Sequence, residues 1–520
     1  MQAIKQGFAG PSMALSLNRA LGIAQSSIPP QYTSQINMGD VTTSEPSLLH
    51  LAGGTVRGTI EEHGVRRFLN IPYAAAPVGP NRFAEPAPPA AWEGERDGTK
   101  FGPTAPQRPY DSELGKLLNS DGIPGEDILS VNIWTPASAH KRPVAFWIHG
   151  GALERGSSAQ PVYDGAAFAR DGIVFVSINY RLGAEGFSIL EGAPTNLGLH
   201  DCVAALKWVT REISAAGGDA SRITVFGESA GGALVGGLLA LPEARPMIAN
   251  AIIQSGPLEA QPQRKAARVT RALARILKTP ATREAWCGLT QEDLVGARRT
   301  QAIGTTAMST VPGFVLTVDD QLPVSPHKKL CDPATDKDIP LLIGSTTDEY
   351  RLFLTPEQLA KIGWAAYTAA RWFLWCPYSA TLALWRNFPG ASYGEILGQM
   401  LTEHVFRLPA VRVAEANPTT TWMYEFAWNS PVRDLRAAHA LEIGFAFDNL
   451  NTHEALNLAG KDAPQHLADE MHAVWIRFMK TGKPGWEAYG AEKNVRVFNN
   501  ESSTQPLPRA DIIAGMGFKP

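Results

Sequence analysis

The chain has 520 residues, of which 44% are apolar and 19% charged, with 47 Lys plus Arg against 50 Asp plus Glu for a net charge of −3. At about 150 residues per domain the length would suit three or four domains, yet α/β enzymes build single units this large, and the composition excludes disordered, collagen-like and coiled-coil classes. The near-neutral balance offers no global attraction for nucleic acid or an anionic membrane.

Residues 1–45 read as a tail and linker, and residues 46–520 as one domain. Lys5 precedes a mildly apolar stretch from Gly7 to Leu17 that Asn18 and Arg19 cut short. It is a weak secretory signal, a frayed tail or a short surface helix built on Met13, Leu15, Leu17, Leu21 and Ile23. Elsewhere no apolar run reaches the roughly 20 residues of a membrane helix; the longest, from Ala230 to Leu241, is glycine-rich and ends at Pro242. Cys202, Cys287, Cys331 and Cys376 lie far apart with no CxxC or Cys/His spacing. Neither a structural metal nor a disulfide framework is indicated, and reduced thiols are expected.

Three continuous apolar runs, Val144 to Ile148, Ile173 to Ile178 and Ile223 to Phe226, predict parallel strands buried on both faces. Between the last two, Val203 to Ile213 has helical spacing, with Asp201 placed to cap its start and Gly217 and Gly218 after its end. That order is a strand, helix, strand unit of an open α/β sheet. From Gln261 to Thr300 the pattern becomes helical and basic, with Arg264, Lys265, Arg268, Arg271, Arg275 and Lys278 interleaved with Val269, Leu273, Ile276 and Leu277. This reads as the solvated face of a cap helix, with lipid contact as the alternative. The sheet resumes at Ile339 to Ile343. An aromatic concentration follows at Trp364, Tyr367, Trp372, Phe373, Trp375, Tyr378 and Trp385, suited to a core or to the wall of a covered pocket.

The chemistry is concentrated at Gly227, Glu228, Ser229, Ala230 and Gly231, which follow one predicted strand and precede a predicted helix. A serine on so sharp a turn needs small neighbours on both sides, and the turn exposes its hydroxyl above the sheet edge. The following helix start presents amides to an oxyanion. His149, Gly150, Gly151 and Ala152 end another buried strand, making Gly151, Ala152 and Ala230 the candidate oxyanion donors. In the chain order serine, acid, histidine, the base must follow Ser229. His439, after the expected strand Trp422 to Trp428, is the candidate. His327, His404, His453, His466 and His472 read as surface or helix residues, and His453-Glu454 fails the zinc pattern HExxH because Asn457 stands fifth. Asp348 and Glu349 both follow the strand Ile339 to Ile343, and spacing alone does not choose between them.

These residues resemble the type-B carboxylesterase and lipase family, which includes bacterial p-nitrobenzyl esterases and cholinesterases. The resemblance runs from Gly53 to Phe498 and is carried by GTVRGTIEEHGVRRFLNIPYAAAPVGPNRF, NIWTP, WIHGGA, INYRLGAEGF, NLGLHDCVAALKWV, GGDASRITVFGESAGG, IIQSG, GSTTDE and HALEIGFAF. It implies an α/β-hydrolase fold with a mostly parallel central sheet flanked by helices, and helical cap segments near 257–340 and 355–418. It further implies Ser229 as nucleophile, Glu349 as acid, His439 as base and Ser255 as a serine beside the acid, a role to be weighed against a plain turn serine. Tyr350 stands where the family has glycine. Glu126, Asp127, Ile128 and Leu129 stand at the family's EDCL string, and Ala105 stands where its partner cysteine would lie. Both ends of a typical disulfide are thus absent, which fits a reducing, cytoplasmic compartment better than secretion.

The expected function is hydrolysis of small-molecule carboxylic esters through an acyl-enzyme, with no metal or cofactor, and with activity lost as His439 protonates below about pH 6 to 7. Amidase, carbamate hydrolase and lipase chemistry remain open on the same triad, as does a non-catalytic binding relative, which would typically have lost a triad member. Glu154 and Arg155 are read either as a charged substrate filter or as an outward surface pair. Oligomeric state and substrate are not legible.

Overall fold

The apolar runs form strands buried on both sides, as their lack of alternation requires. The computed structural model describes residues 46–517 except 111–112, 120–121, 303–312 and 336–337, so the expected tail and linker of residues 1–45 lie outside the described residues. In chain order the strands are β1 (Pro46–Leu51), β2 (Gly54–Ile60), β3 (Val65–Pro72), β4 (Glu95–Asp97), β5 (Ser130–Pro136), β6 (Arg142–Ile148), β7 (Val174–Ile178) and β8 (Gly218–Glu228). They continue with β9 (Asn250–Gln254), β10 (Gln261–Pro262), β11 (Thr317–Val318), β12 (Leu341–Thr346), β13 (Thr421–Phe426), β14 (Asn494–Phe498) and β15 (Ser503–Pro506). All but β10 and β11 join one sheet, ordered β1-β2-β3-β5-β7-β6-β8-β9-β12-β13-β14-β15, with β4 beside β2. From β7 to β14 every pairing is parallel; β1, β2, β3, β5 and β7 pair antiparallel in turn, as does β15 with β14, while β4 lies parallel to β2.

Alternate residues of β6 show why the run is continuous. Val144, Phe146 and Ile148 enter the core on one face, and Ala145 and Trp147 enter the core on the other. Helices cover both faces, and the one that follows β8, Ala230–Ala240, is buried along its whole length.

The helix expected from Val203 begins earlier and spans Leu197–Glu212, with Asp201 inside it. Asp201 is not a cap. Its carboxylate accepts from Arg181 Nε at 2.8 Å and from Nη2 at 2.6 Å, and both side chains are almost wholly buried. Gly217 ends the 3₁₀ turn that follows this helix, at φ 78°. Removing one partner of a buried ion pair strands the other charge, so Asp201→Ala is expected to cost about 3–5 kcal/mol of stability, read from the urea midpoint.

The basic segment is the helix Gln263–Leu277, which buries Ala266, Val269, Thr270 and Leu273 and leaves its arginines in solvent, as expected of an outer face. The aromatic segment departs from expectation. Tyr367 is buried and Trp385 packs with Tyr367 and Tyr393, but Trp364, Trp372, Phe373, Trp375 and Tyr378 face solvent and belong to neither core nor pocket. Among the described residues no helix is long and apolar enough to cross a membrane.

Candidate active site

Ser229 stands between the end of β8 and the helix Ala230–Ala240 at φ 56°, ψ −120°, a conformation that side-chain-bearing residues seldom adopt. The turn needs both flanking glycines. A Cβ on Gly231 would lie 2.0 Å from the Ile148 carbonyl oxygen, and one on Gly227 would lie 2.6 Å from the Gly231 backbone. Donation from the Ser229 amide to Gln254 O at 2.8 Å ties the turn to β9.

A second strained turn faces it. After β6, Gly151, Ala152 and Leu153 all have positive φ, at 110°, 57° and 60°. The Gly151 carbonyl accepts from the Glu154 and Arg155 amides, folding the loop back on itself. The amides of Gly151 and Ala152 have no acceptor among the described residues, and Ala230, as the first helical residue, has none within its helix. His149 beneath the loop is buried, stacks on Tyr180 at 4.6 Å and donates from Nδ1 to Gly150 O at 2.8 Å. Burial lowers its pKa to about 4, so it stays neutral and serves to hold the loop.

At the end of β12 the two candidate carboxylates take different partners. Glu349 begins a 3₁₀ turn, fully buried, with Oε2 2.5 Å from His439 Nδ1. Its Oε1 accepts from Ser255 Oγ at 2.6 Å and from the Thr346 amide at 2.8 Å. Asp348 points elsewhere and accepts from Gln399 Nε2 at 2.7 Å. Tyr350 fits because Gly398 makes room: a Cβ there would lie 2.1 Å from the tyrosine ring. Phe353 and Phe406 flank the His439 ring at 5.2 and 5.1 Å.

Sequence reading missed two carboxylates in this cluster. Glu228 Oε1 lies 3.0 Å from His439 Nε2, and Glu442 is fully buried with Oε1 3.4 Å from Gln254 Nε2. The available signal was an ionisable residue inside each glycine- or alanine-rich string, next to Ser229 and three residues after His439. Burial pushes Glu228 up to about 8; burial, then the charge of Glu349, pushes Glu442 up to about 7. For His439 burial acts downward and is outweighed by Glu228, Glu349 and Glu442, which lift it to about 9. Such groups share protons and titrate together.

Ser229, Ala230, Gly151, Ala152 and His439 line one cavity of about 1240 Å³. Glu154 and Arg155 also line it, but neither as a free charge nor as an outward pair. Glu154 is buried in a two-point ion pair with Arg298, whose Nε lies 3.0 Å from Glu154 Oε2. Arg155 donates to Arg108 O at 3.1 Å, with its guanidinium 4.8 Å from the Tyr110 ring centre. Among the described residues no cluster of His, Cys, Asp and Glu is arranged to hold a metal.

A central parallel sheet with a strained serine at one strand end and a buried acid-histidine pair at others defines an α/β-hydrolase enzyme. The carboxylesterase family model matches residues 45–373. The chain is 36% identical over 478 residues to para-nitrobenzyl esterase of Bacillus subtilis strain 168, covering 88% of this chain and 96% of the relative. It is 33% identical over 495 residues to phenmedipham hydrolase of Pseudarthrobacter oxydans, covering 90% and 98%. Among solved structures, a Geobacillus stearothermophilus carboxylesterase superposes with a TM-score of 0.80 at 35% identity, over 90% of this chain and all of that one. The chain belongs to the carboxylesterase family and is a carboxylic ester hydrolase.

Proposed function

We propose that hydrolysis runs through an acyl-enzyme on Ser229, with His439 as base and Glu349 as the carboxylate that orients it. The observation that carries this reading is the buried 2.5 Å contact of Glu349 with Nδ1 of His439, which lines the cavity onto which the strained Ser229 turn opens. His439 takes the serine proton as Oγ attacks the ester carbonyl, and Glu349 selects the tautomer with the proton on Nδ1 and stabilises the imidazolium. The amides of Gly151, Ala152 and Ala230 receive the oxyanion; one such donor is typically worth about a hundred- to a thousandfold in rate. His439 then protonates the leaving alcohol, and water repeats the sequence on the acyl group. Ser255 and the Thr346 amide hold Glu349 Oε1, leaving Oε2 for the histidine.

A cavity of about 1240 Å³ exceeds the roughly 300–1,000 Å³ usual for drug-sized ligands, which favours bulky esters as substrates. The relative named para-nitrobenzyl esterase makes a p-nitrobenzyl ester the first bulky substrate to try. Stopped-flow hydrolysis of p-nitrophenyl butyrate is expected to give a burst of nitrophenol, followed by steady turnover. A single covalent adduct with an organophosphorus probe should accompany it. A folded protein that gives neither would overturn the acyl-enzyme reading. Matched amide and carbamate substrates should turn over more slowly than the ester, since alkoxide leaves more readily than amine.

The base is active when neutral, so kcat/KM rises with pH through the apparent pKa of the cluster. Because carboxylates lift His439, the acidic limb is expected above the ordinary histidine value of 6.5, higher than sequence alone suggested. Glu228→Gln removes an ionisable carboxyl 3.0 Å from Nε2, one of the groups that lift His439, and is expected to move that limb down by about one to three pH units. An unmoved limb would show that Glu228 does not govern His439.

A further inference from the structure

Eleven large apolar side chains are exposed among the described residues, and seven of them lie between positions 364 and 393. The centre of this patch is the helix Trp364–Phe373, in which Arg371 is the one charged residue. Its Tyr367 and Ala370 face inward. Trp364, Ala365, Ala369, Trp372 and Phe373 recur at helical spacing on the outside and form an apolar stripe in water. Thr368 adds no polarity, because its hydroxyl donates to Trp364 O at 2.8 Å. Trp375, 86% exposed, stacks on Trp372, 68% exposed, with ring centres 6.3 Å apart; Tyr378 stands beside them in the chain, also 68% exposed. A contiguous patch of this kind marks an interaction surface.

The charges of the segment identify what it meets. From position 358 to 394 there is no Asp or Glu, while Lys361, Arg371 and Arg386 are present; among the described residues none of the three lies within ion-pair distance of a carboxylate, and Glu357, just outside the segment, acts on Lys361 only at longer range. The acids on packed neighbours are engaged: Glu395 by Arg351 and Arg436, and Asp511 by Asn387. Tryptophan and tyrosine set among unpaired cations, over a stripe without acids, is the side-chain chemistry of a surface seated in the headgroup region of a bilayer. A second copy of the chain fits less well, because a two-fold contact would set these like charges against themselves.

We propose that the Trp364–Tyr378 face is a docking surface for an anionic lipid bilayer. It belongs to the packed unit that shapes the catalytic cavity. The Trp364–Phe373 helix packs on the helix Tyr393–Thr402, which also packs on the Glu349–Leu352 turn and on the short helix Pro356–Ala360. Thr355, Pro356, Glu357 and Gln358 line the cavity. Docking by this face holds the cavity-lining helices close to esters dissolved in the bilayer.

The test is flotation of the purified full chain with vesicles of phosphatidylcholine and phosphatidylglycerol (three to one) against pure phosphatidylcholine, with brominated lipid to quench tryptophan fluorescence. The expected result is binding and quenching on the anionic vesicles and at least tenfold weaker binding to the neutral ones. Trp372→Ser with Trp375→Ser should lower binding at least tenfold while leaving turnover of p-nitrophenyl butyrate unchanged. Lys361→Gln, Arg371→Gln and Arg386→Gln together should erase the preference for phosphatidylglycerol. A wild-type chain that floats with neither vesicle, equal binding to both, or unimpaired binding by the tryptophan variant would each overturn the proposal. So would a dimer in sedimentation velocity that the tryptophan variant dissociates, without vesicle binding; that outcome assigns the face to a second copy.

Discussion

Ser229→Ala is expected to lower kcat on p-nitrophenyl butyrate by about 10⁵–10⁶-fold, toward the residual rate that an oxyanion site and substrate binding alone supply. The burst and the covalent adduct should vanish with it. The substitution is informative because it leaves the turn intact. Alanine keeps the Cβ that Ser229 already carries at φ 56°, and the Ser229 amide bond to Gln254 O is a backbone contact. Melting temperature should therefore be unchanged, and a loss of turnover reports lost chemistry. Retained turnover in the purified variant would transfer the nucleophile to another group and overturn the mechanism.

Glu349→Gln is the second large effect, expected at about 10⁴-fold in kcat with the fold preserved. The amide can still accept from Ser255 and Thr346 through its oxygen, but it then turns its NH₂ toward His439 Nδ1 and favours the wrong imidazole tautomer. Asp348→Asn is the matched control, one residue away. Asp348 is bound to Gln399 Nε2, and burial raises its pKa to about 6; its loss of charge should cost far less turnover. Reversal of the two effects would exchange the acid assignment.

The contrast between these neighbouring carboxylates shows where local reading ends. In sequence Asp348 and Glu349 are equivalent candidates after one strand. They diverge because consecutive positions on a tight turn direct their side chains differently, and the partners, Gln399 and His439, are 51 and 90 residues away. The same limit explains Asp201, which looks like a helix cap until Arg181 is brought beside it. It explains Glu154, whose apparent freedom disappears in a pair with Arg298, 144 residues on. Glu228 was hidden for the same reason: nothing near it in the chain announces a histidine 211 positions later.

Patterns whose cause is local were legible. Continuous apolar runs marked the central strands because both faces of a parallel sheet are covered. The glycines around Ser229 marked its turn because no other residue fits between crossing backbones there. Motif order was enough to expect an α/β-hydrolase fold, with the candidate serine, acid and histidine in that sequence.

Tertiary structure decided everything that depends on which distant groups meet and which faces remain uncovered. It raised His439 by gathering Glu228, Glu349 and Glu442 around one ring. It also turned Trp364, Trp372 and Trp375 outward while Tyr367 and Trp385, from the same aromatic run, packed inward. Composition and periodicity register that a side chain is apolar. Whether a neighbouring element covers it is settled only when the chain has folded, because burial is a property of the surroundings.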